Sequence, residues 1–424
     1  MTKAHVGILH YTAPPVIGGV EAVIQAQAQL LTHHGYAVTV VSGRGQPDAL
    51  PPGVSLALLP MLDSQNDQIL DLNTSMERGE LLDRFENLVE ELAKTLKPTV
   101  THFDHLIMHN VFTKHFNLAL TAALGILIED GAIRHPIAWC HDFSWSSPSS
   151  RTRVHPGYPW DLLRTAHPGI TYVTVSARRQ GALADLFGCP AEQIHLIYNG
   201  VDPATLLGLS PAGLDLAERL DLFGADLILL MPVRVTRAKN IEFALQVLAA
   251  LKQSLHPKLI VTGPPDPHDP ENMQYYHSLQ ELRRSLGVSN DAHFIYESGP
   301  DASEPYLIDE SLVGELYRLS DIMFMPSHRE GFGMPVLEAG MAGVPAVCAD
   351  IPAAGEIGDP DVTIFPRGEA PESLAATILK LVESSPTSRF RRRVRQGYTW
   401  EGLFQRQIEP LLTGQHANHD PQRR

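Results

Sequence analysis

The chain has 424 residues, 44% hydrophobic and 19% charged, with a net charge of −15. That is enough apolar chain to bury more than one core and too much for intrinsic disorder, so two or three globular domains are expected. The acidic balance argues against a nucleic-acid binder, which carries a basic face or stripe, and against adsorption to anionic membrane over a whole face.

The first predicted strand is "HVGILHY" (5–11), followed by a turn, "TAPPVIGG". In "VEAVIQAQAQLLTHHG", Val20, Val23, Ile24, Ala28 and Leu31 recur at helical spacing, and Gly35 is the stop. "YAVTVVSG" (36–43) is a second strand. Strand, glycine turn, helix and strand make a βαβ unit, hence a parallel sheet. A helix in "NLVEELAKTLK" (87–97) extends the series, as do strands ending at His109 in "IMHNVF" and near His141 in "AIRHPIAWCHD". "TYVTVSA" (171–177) and "IHLIYNGVD" (194–202) add two more strands. The pattern restarts with the strand "DLILLMPVRV" (226–235) and the helix "KNIEFALQVLAALKQ" (239–253). Short strands follow in "KLIVTG" (258–263), "AHFIYE" (292–297), "IMFMPS" (322–327) and "PAVCAD" (345–350). Two α/β units in series are therefore expected, joined around 203–225, with a ligand site at strand carboxyl ends in the cleft between them.

The five arginines of "RFRRRVRQG" are read as one face of a surface helix, and the tail past residue 412 as frayed. "MTKAHVGILHYTAPP" lacks the pattern of a signal peptide, and no apolar run reaches the roughly 18–20 residues that span a bilayer. Cys140, Cys189 and Cys348 show no metal-ligand spacing and are odd in number, so buried thiols in a cytoplasmic protein are expected.

The chemistry concentrates in "SHREGFGMPVLEAG". Glu330 follows a strand, on the side where ligands bind. Pro335 suits the first turn of a helix, and Glu338 then projects from that helix. Gly331 and Gly333 leave backbone N–H groups at a helix N-terminus, where anions and hydroxyl oxygens are favoured. One loop thus offers carboxylate acceptors and amide donors, a match for a polyhydroxylated ligand. Arg234 and Lys239 stand five apart. A cation at a helix N-terminus is disfavoured by about 0.3–1 kcal/mol and makes better sense beside an anion.

These segments, taken as an ordered set, resemble retaining glycosyltransferases of the GT-B fold, family 4 (group 1) type, over about residues 5–412. The matching stretches are "GGVE" (18–21), "WCHD" (139–142), "VSARR" (175–179), "NGVD" (199–202), "RVTRAK" (234–239), "EGFGMPVLE" (330–338), "DIPAAGEI" (350–357) and "YTWEGL" (398–403). Val233 departs from the family, which often has glycine before the arginine. The resemblance implies an α/β chain of two Rossmann-like domains facing across a cleft. These would be an acceptor-side domain at 1–205 and a nucleotide-sugar domain at 206–390. A helix at 391–412 would return to the first domain, before a flexible tail at 413–424.

By the same resemblance, Glu338 takes the ribose hydroxyls of the donor. Glu330, with the amides near Phe332, Gly333 and Met334, takes the sugar, and Gly263 lies in the donor site. Arg234 and Lys239 hold the diphosphate. Gly18 and Gly19 let the first loop approach phosphates and acceptor closely. His141 serves the reacting centre, and Asp142, His109 and Asn110 stand on the acceptor side. The implied reaction moves a glucose- or mannose-type hexose from a nucleoside diphosphate sugar to a hydroxyl by same-face attack, with no metal or cofactor. The first domain, with 13 Lys and Arg against 19 Asp and Glu, lacks a bulk basic face for lipid. A small sugar, glycerate-like or polysaccharide acceptor is therefore expected, with at most peripheral membrane contact. The competing readings are a sugar phosphorylase, which need not keep Glu338, a nucleotide-sugar epimerase, and a non-catalytic sugar-nucleotide binder.

Overall fold

The computed structural model describes residues 3–414 apart from positions 267 and 302, so the expected tail lies outside the described residues from 415 on. The chain divides into two compact units. One holds the residues through Gly200 together with those from Trp400, and the other is Val201–Thr399. No helix among the described residues is long and apolar enough to cross a membrane.

The first unit contains β1 (His5–Thr12), β2 (Ala37–Arg44), β3 (Val54–Leu58), β4 (His105–His109), β5 (Pro136–Cys140), β6 (Thr171–Thr174) and β7 (His195–Leu196). They form one parallel sheet in the order β3-β2-β1-β4-β5-β6-β7. From Val6 onward β1 is buried, as expected of a parallel strand covered on both faces. One face packs against the helices Arg84–Val100 and Leu118–Glu129. The other face packs against Val23, Ile24, Ala28 and Leu31 of the helix Gly19–His33, with Trp400, Leu403, Phe404 and Ile408 from the C-terminal segment. The helix ends where expected, with Gly35 at φ 81°.

The second unit contains β8 (Leu227–Met231), β9 (Pro257–Val261), β10 (Ala292–Phe294), β11 (Ile322–Met325), β12 (Ala346–Ala349) and β13 (Thr363–Phe365). The sheet is again parallel, in the order β10-β9-β8-β11-β12-β13. The helices Ile241–Leu251 and Pro371–Ser384 cover one face, and Glu310–Leu319 and Met334–Ala342 the other. Both units therefore follow a Rossmann-type winding that reverses once, between β1 and β4 and between β8 and β11.

Three local expectations are corrected. The strand expected over 226–235 stops at Met231, because Pro232 has no N–H for the ladder. The helix expected from Lys239 begins at Ile241, after a 3-10 turn at Arg237–Lys239 and Asn240 at φ 53°. The arginine run is indeed helical (Pro386–Gly397), but it is not wholly a solvated face. Arg395 is buried and forms a two-pronged ion pair with Asp321, at 3.1 Å and 2.8 Å. Asp321 also accepts the Ile228 N–H at 2.8 Å, so the pair fastens this helix to β8.

The chain re-enters the first unit at Trp400. The crossing is tight, since a Cβ on Gly200 would lie 2.7 Å from the Trp400 ring. Removing Arg395 leaves the buried Asp321 with the more distant Arg391, whose Nε lies 4.0 Å from Asp321 Oδ1. Arg395→Met is therefore expected to cost about 3 kcal/mol of stability. Denaturant unfolding of the purified chain measures it, and an unchanged midpoint would show that the pair does not secure the helix.

Candidate functional site

The site elements of the second unit hang from the two strands at its winding reversal. The loop after β11 carries Glu330, whose two oxygens each lie 2.7 Å from Lys239 Nζ. Ser327 Oγ donates to Glu330 Oε1 at 2.6 Å. The Lys239 turn is tied to the same loop by the His328 N–H donating to Ala238 O at 2.8 Å and by Asn240 Nδ2 donating to Pro326 O at 3.2 Å. The Glu330 side chain is 9% exposed and that of Lys239 20%. The sequence reading sought the anion for Lys239 in a ligand. In the structure Glu330 already supplies one.

Arg234 is exposed and has no hydrogen-bond or ion-pair partner among the described residues. Its backbone rests on Gly263, where a Cβ would lie 2.7 Å from both Arg234 Cα and Val233 O. The Gly263 N–H also donates to Val233 O at 3.0 Å. Gly263 is thus required by the seat of the arginine loop. Val233 is buried with its N–H on Met231 O.

Glu338 projects, exposed, from the helix Met334–Ala342, and Tyr317 Oη donates to its Oε2 at 2.8 Å. Burial, then that carboxylate, pushes the Tyr317 phenol far above its usual range, so it stays a donor. The two glutamates therefore have separate seats, one on a cation and one on a phenol. Between them Gly333 takes a left-handed φ of 95° as N-cap, with no side chain capping the helix. Phe332 and Met334 on either side of it are exposed.

The first unit builds the centre of its site from neutral imidazoles. His109, at the end of β4, is fully buried. Its Nδ1 lies 3.0 Å from His141 Nε2, and its Nε2 lies 3.0 Å from Gln27 Oε1. As Gln27 is oriented, its carbonyl accepts from His109 Nε2–H. His109 Nδ1 then accepts from His141 Nε2–H. His10 donates through Nδ1 to His109 O at 3.0 Å. Burial is the first cause that lowers all three pKa values, with His141 down to about 4 and His109 well below the ordinary imidazole range. His109 therefore does not face a ligand directly. Asn110 sits at φ 61°, and its Oδ1 accepts the N–H groups of His141 (2.8 Å) and Asp142 (3.2 Å). It shapes the turn that carries them. Asp142 is held by Arg179 at 2.5 Å.

The two glycines of "GGVE" differ. A Cβ on Gly18 would lie 2.0 Å from Glu21 Oε2, whereas Gly19 has nothing within 4 Å. The space at Gly18 is filled by the chain's own carboxylate, which also accepts from Thr12 Oγ1. Sequence reasoning missed Glu21, Gln27, Tyr317 and Ser327. Gln27 was detectable, being a polar residue in the buried stripe of an amphipathic helix. Tyr317 carries no such signal, because its partner comes from another element.

Residues 216–398 match the family described as glycosyl transferases group 1, and residues 17–205 match glycosyltransferase family 4. The MMP alpha-(1->4)-mannosyltransferase of Mycolicibacterium hassiacum is 24% identical, over 94% of this chain and 95% of its own length. The mannosylglucosylglycerate synthase of Thermotoga maritima is 23% identical, over 81% of this chain and 79% of its own. An uncharacterized glycosyltransferase of Methanocaldococcus jannaschii is 22% identical over 54% of this chain, which spans 57% of it. A crystal structure of HepE from Anabaena in complex with UDP and glucose aligns over 96% of this chain and 99% of that one, at 18% identity and a TM-score of 0.36.

The buried histidines make stability depend on pH. Their folded pKa values lie below the roughly 6.5 of free histidine, so the unfolded chain binds more protons between about pH 4 and 6.5. Stability present above that window is lost as pH falls through it. The thermal midpoint is expected to drop between pH 7 and 4.5, and less so in His141→Gln. Equal slopes in the two proteins would show that His141 is not a source of the loss.

Proposed function

The chain belongs to the group 1, family 4 glycosyltransferases, and from that premise we propose that it moves a glucose- or mannose-type hexose from a nucleoside diphosphate sugar to a hydroxyl acceptor, with retention at the anomeric carbon. The observation that carries this reading is the pairing of Lys239 with Glu330 across the two loops at the reversal of the second sheet, beside the unpaired Arg234. Arg234, unpaired among the described residues, is free to neutralise a diphosphate. Lys239 shares its charge between that diphosphate and Glu330, which it holds in place. Glu330 accepts from sugar hydroxyls, together with the uncapped amides at Gly333 and Met334, and Glu338 takes the ribose hydroxyls. The names of the mannosyltransferase and of the mannosylglucosylglycerate synthase support a hexose donor.

In the proposed reaction the acceptor oxygen bonds to the anomeric carbon as the bond from that carbon to the diphosphate oxygen breaks. The acceptor proton passes to the departing phosphate on the same face. Arg234 and Lys239 stabilise the charge that develops there, a role that electrostatic catalysis assigns to preorganised cations. No metal, cofactor or protein nucleophile enters this scheme. The protein would work on nucleotide sugars in the cytoplasm.

A panel of nucleoside diphosphate hexoses, scored by nucleotide release, tests the assignment. Glu330→Ala and Lys239→Ala are each expected to lower turnover by about 100-fold or more while the protein stays folded. Wild-type turnover in either would sink the site assignment, and tight donor binding with no release under any acceptor would indicate a binding module. Gly263→Ala is expected to raise the donor KM by roughly tenfold through displacement of the Arg234 loop. An unchanged donor KM would mean that Arg234 does not hold the donor.

A further inference from the structure

Lys114 lies between β4 and the helix Leu118–Glu129 and is only 8% exposed. Its Nζ reaches Ser150 Oγ at 3.3 Å and stands 4.7 Å from the centre of the Phe116 ring. Among the described residues no carboxylate is paired with it. Lys258 shows what a buried lysine ordinarily requires. At 4% exposure it donates to Asn290 O at 2.9 Å and has carboxylate oxygens of Asp221 and Asp291 at 3.8 Å. Burying an ammonium without a counter-charge is costly, and charged side chains are rarely buried unpaired.

Asp142, the carboxylate that acts on Lys114, and Glu77, beside its neighbour His115, already hold other cations. Asp142 is bonded to Arg179 at 2.5 Å, and Glu77 lies 3.4 Å from Arg153. His115, held to Ser144 Oγ at 2.7 Å, is kept neutral by burial, with a pKa lowered to about 4. Lys114, Arg153 and Arg179 thus face two carboxylates, which leaves an excess of one positive charge. Burial lowers the Lys114 pKa as well. Asp142 opposes that shift, and Arg179 and Arg153 reinforce it. The cluster stands at the carboxyl ends of β4, β5 and β6, where His141 and Asp142 also lie.

We infer that the acceptor bound by the first unit carries an anionic group, a carboxylate or a phosphate, seated on the Lys114 ammonium within reach of Arg153 and Arg179. This rests on the transferase reading above and names the class of its second substrate. The anion supplies the charge that Lys114 lacks, and it fixes the acceptor beside His141. Neutral sugars of the same size offer that ammonium hydroxyl oxygens but no counter-charge.

Glycerol, D-glycerate and glycerol 3-phosphate, compared as acceptors by donor-dependent nucleotide release, test the inference on the full chain. An anionic member is expected to exceed glycerol in kcat/KM by at least about tenfold, and Lys114→Met to raise its KM by a similar factor without moving the donor KM. Which of the two anions responds separates carboxylate from phosphate. A binding arm does not depend on turnover. Millimolar D-glycerate or inorganic phosphate should raise the thermal midpoint of the wild type more than that of Lys114→Met. The variant itself should be no less stable, because an apolar side chain replaces a buried charge. Equal shifts in the two proteins, or equal use of glycerol, would overturn the anionic acceptor. If nothing releases nucleotide while the Lys114-dependent shift persists, the transferase reading fails and the anion seat stands.

Discussion

In a parallel sheet each connection crosses back over one face, and loops at the strand carboxyl ends turn alike until the winding reverses. At the reversal the two loops part, one toward each face, and no further strand covers the polar groups between them. Both sheets here meet that constraint at the same place in the order, between β1 and β4 and between β8 and β11. Both bridge it with hydrogen bonds running from one strand's end to the other's. In the first unit His10 of β1 donates to the carbonyl of His109, the last residue of β4. In the second, Lys239, Asn240 and Ala238 after β8 engage Glu330, Pro326 and His328 after β11. The candidate site residues are largely those that make or extend these bridges.

The two bridges solve one problem by opposite electrostatic means. The second unit keeps its charges and pairs them. Such a pair gains little net stability once desolvation is subtracted, but it fixes where the carboxylate points. The first unit strips charge away. Burial holds His10, His109 and His141 neutral, so three imidazoles pack together without repulsion, each with at least one ring nitrogen in a hydrogen bond. Lys114 departs from that pattern, being a buried cation with no paired carboxylate among the described residues.

The layout of the fold was legible because parallel strands buried on both faces read as short apolar runs, and because Gly35 and Pro335 mark a helix stop and a helix start. The site was legible only where chemistry is contiguous. Glu330, Glu338, Arg234 and Lys239 lie on two short loops of distinctive composition. The sequence did not show that Glu330 and Lys239 meet, since they are 91 residues apart and are joined by strand order alone. Tyr317 and Lys114 were missed for the same reason, because their surroundings come from other elements, whereas Gln27 was detectable as a polar residue in the buried stripe of its helix. Arg395 was misread because a run of like charges hides the members that turn inward to Asp321, Arg395 in a two-pronged pair and Arg391 at 4.0 Å. Gly18 reads in the sequence as a ligand-approach glycine and Gly263 as a donor-site residue. At both positions the space a side chain would need is occupied by the chain itself, by Glu21 in one case and by the Arg234 backbone in the other.

Neutrality at His141 also constrains the proposed chemistry. A histidine with a pKa near 4 carries no positive charge at neutral pH and is a weak proton source there. In the proposed reaction a neutral ring is tolerated near an anomeric carbon that gains positive charge, where an imidazolium would be repelled. The acceptor proton then needs another destination, and the departing phosphate is both the strongest developing base and the group that Arg234 and Lys239 stabilise. The same burial that lets three histidines bridge the first sheet's reversal thus removes His141 from acid catalysis. In the proposed reaction that leaves His141 to position a hydroxyl, while Arg234 and Lys239 take up the charge separation.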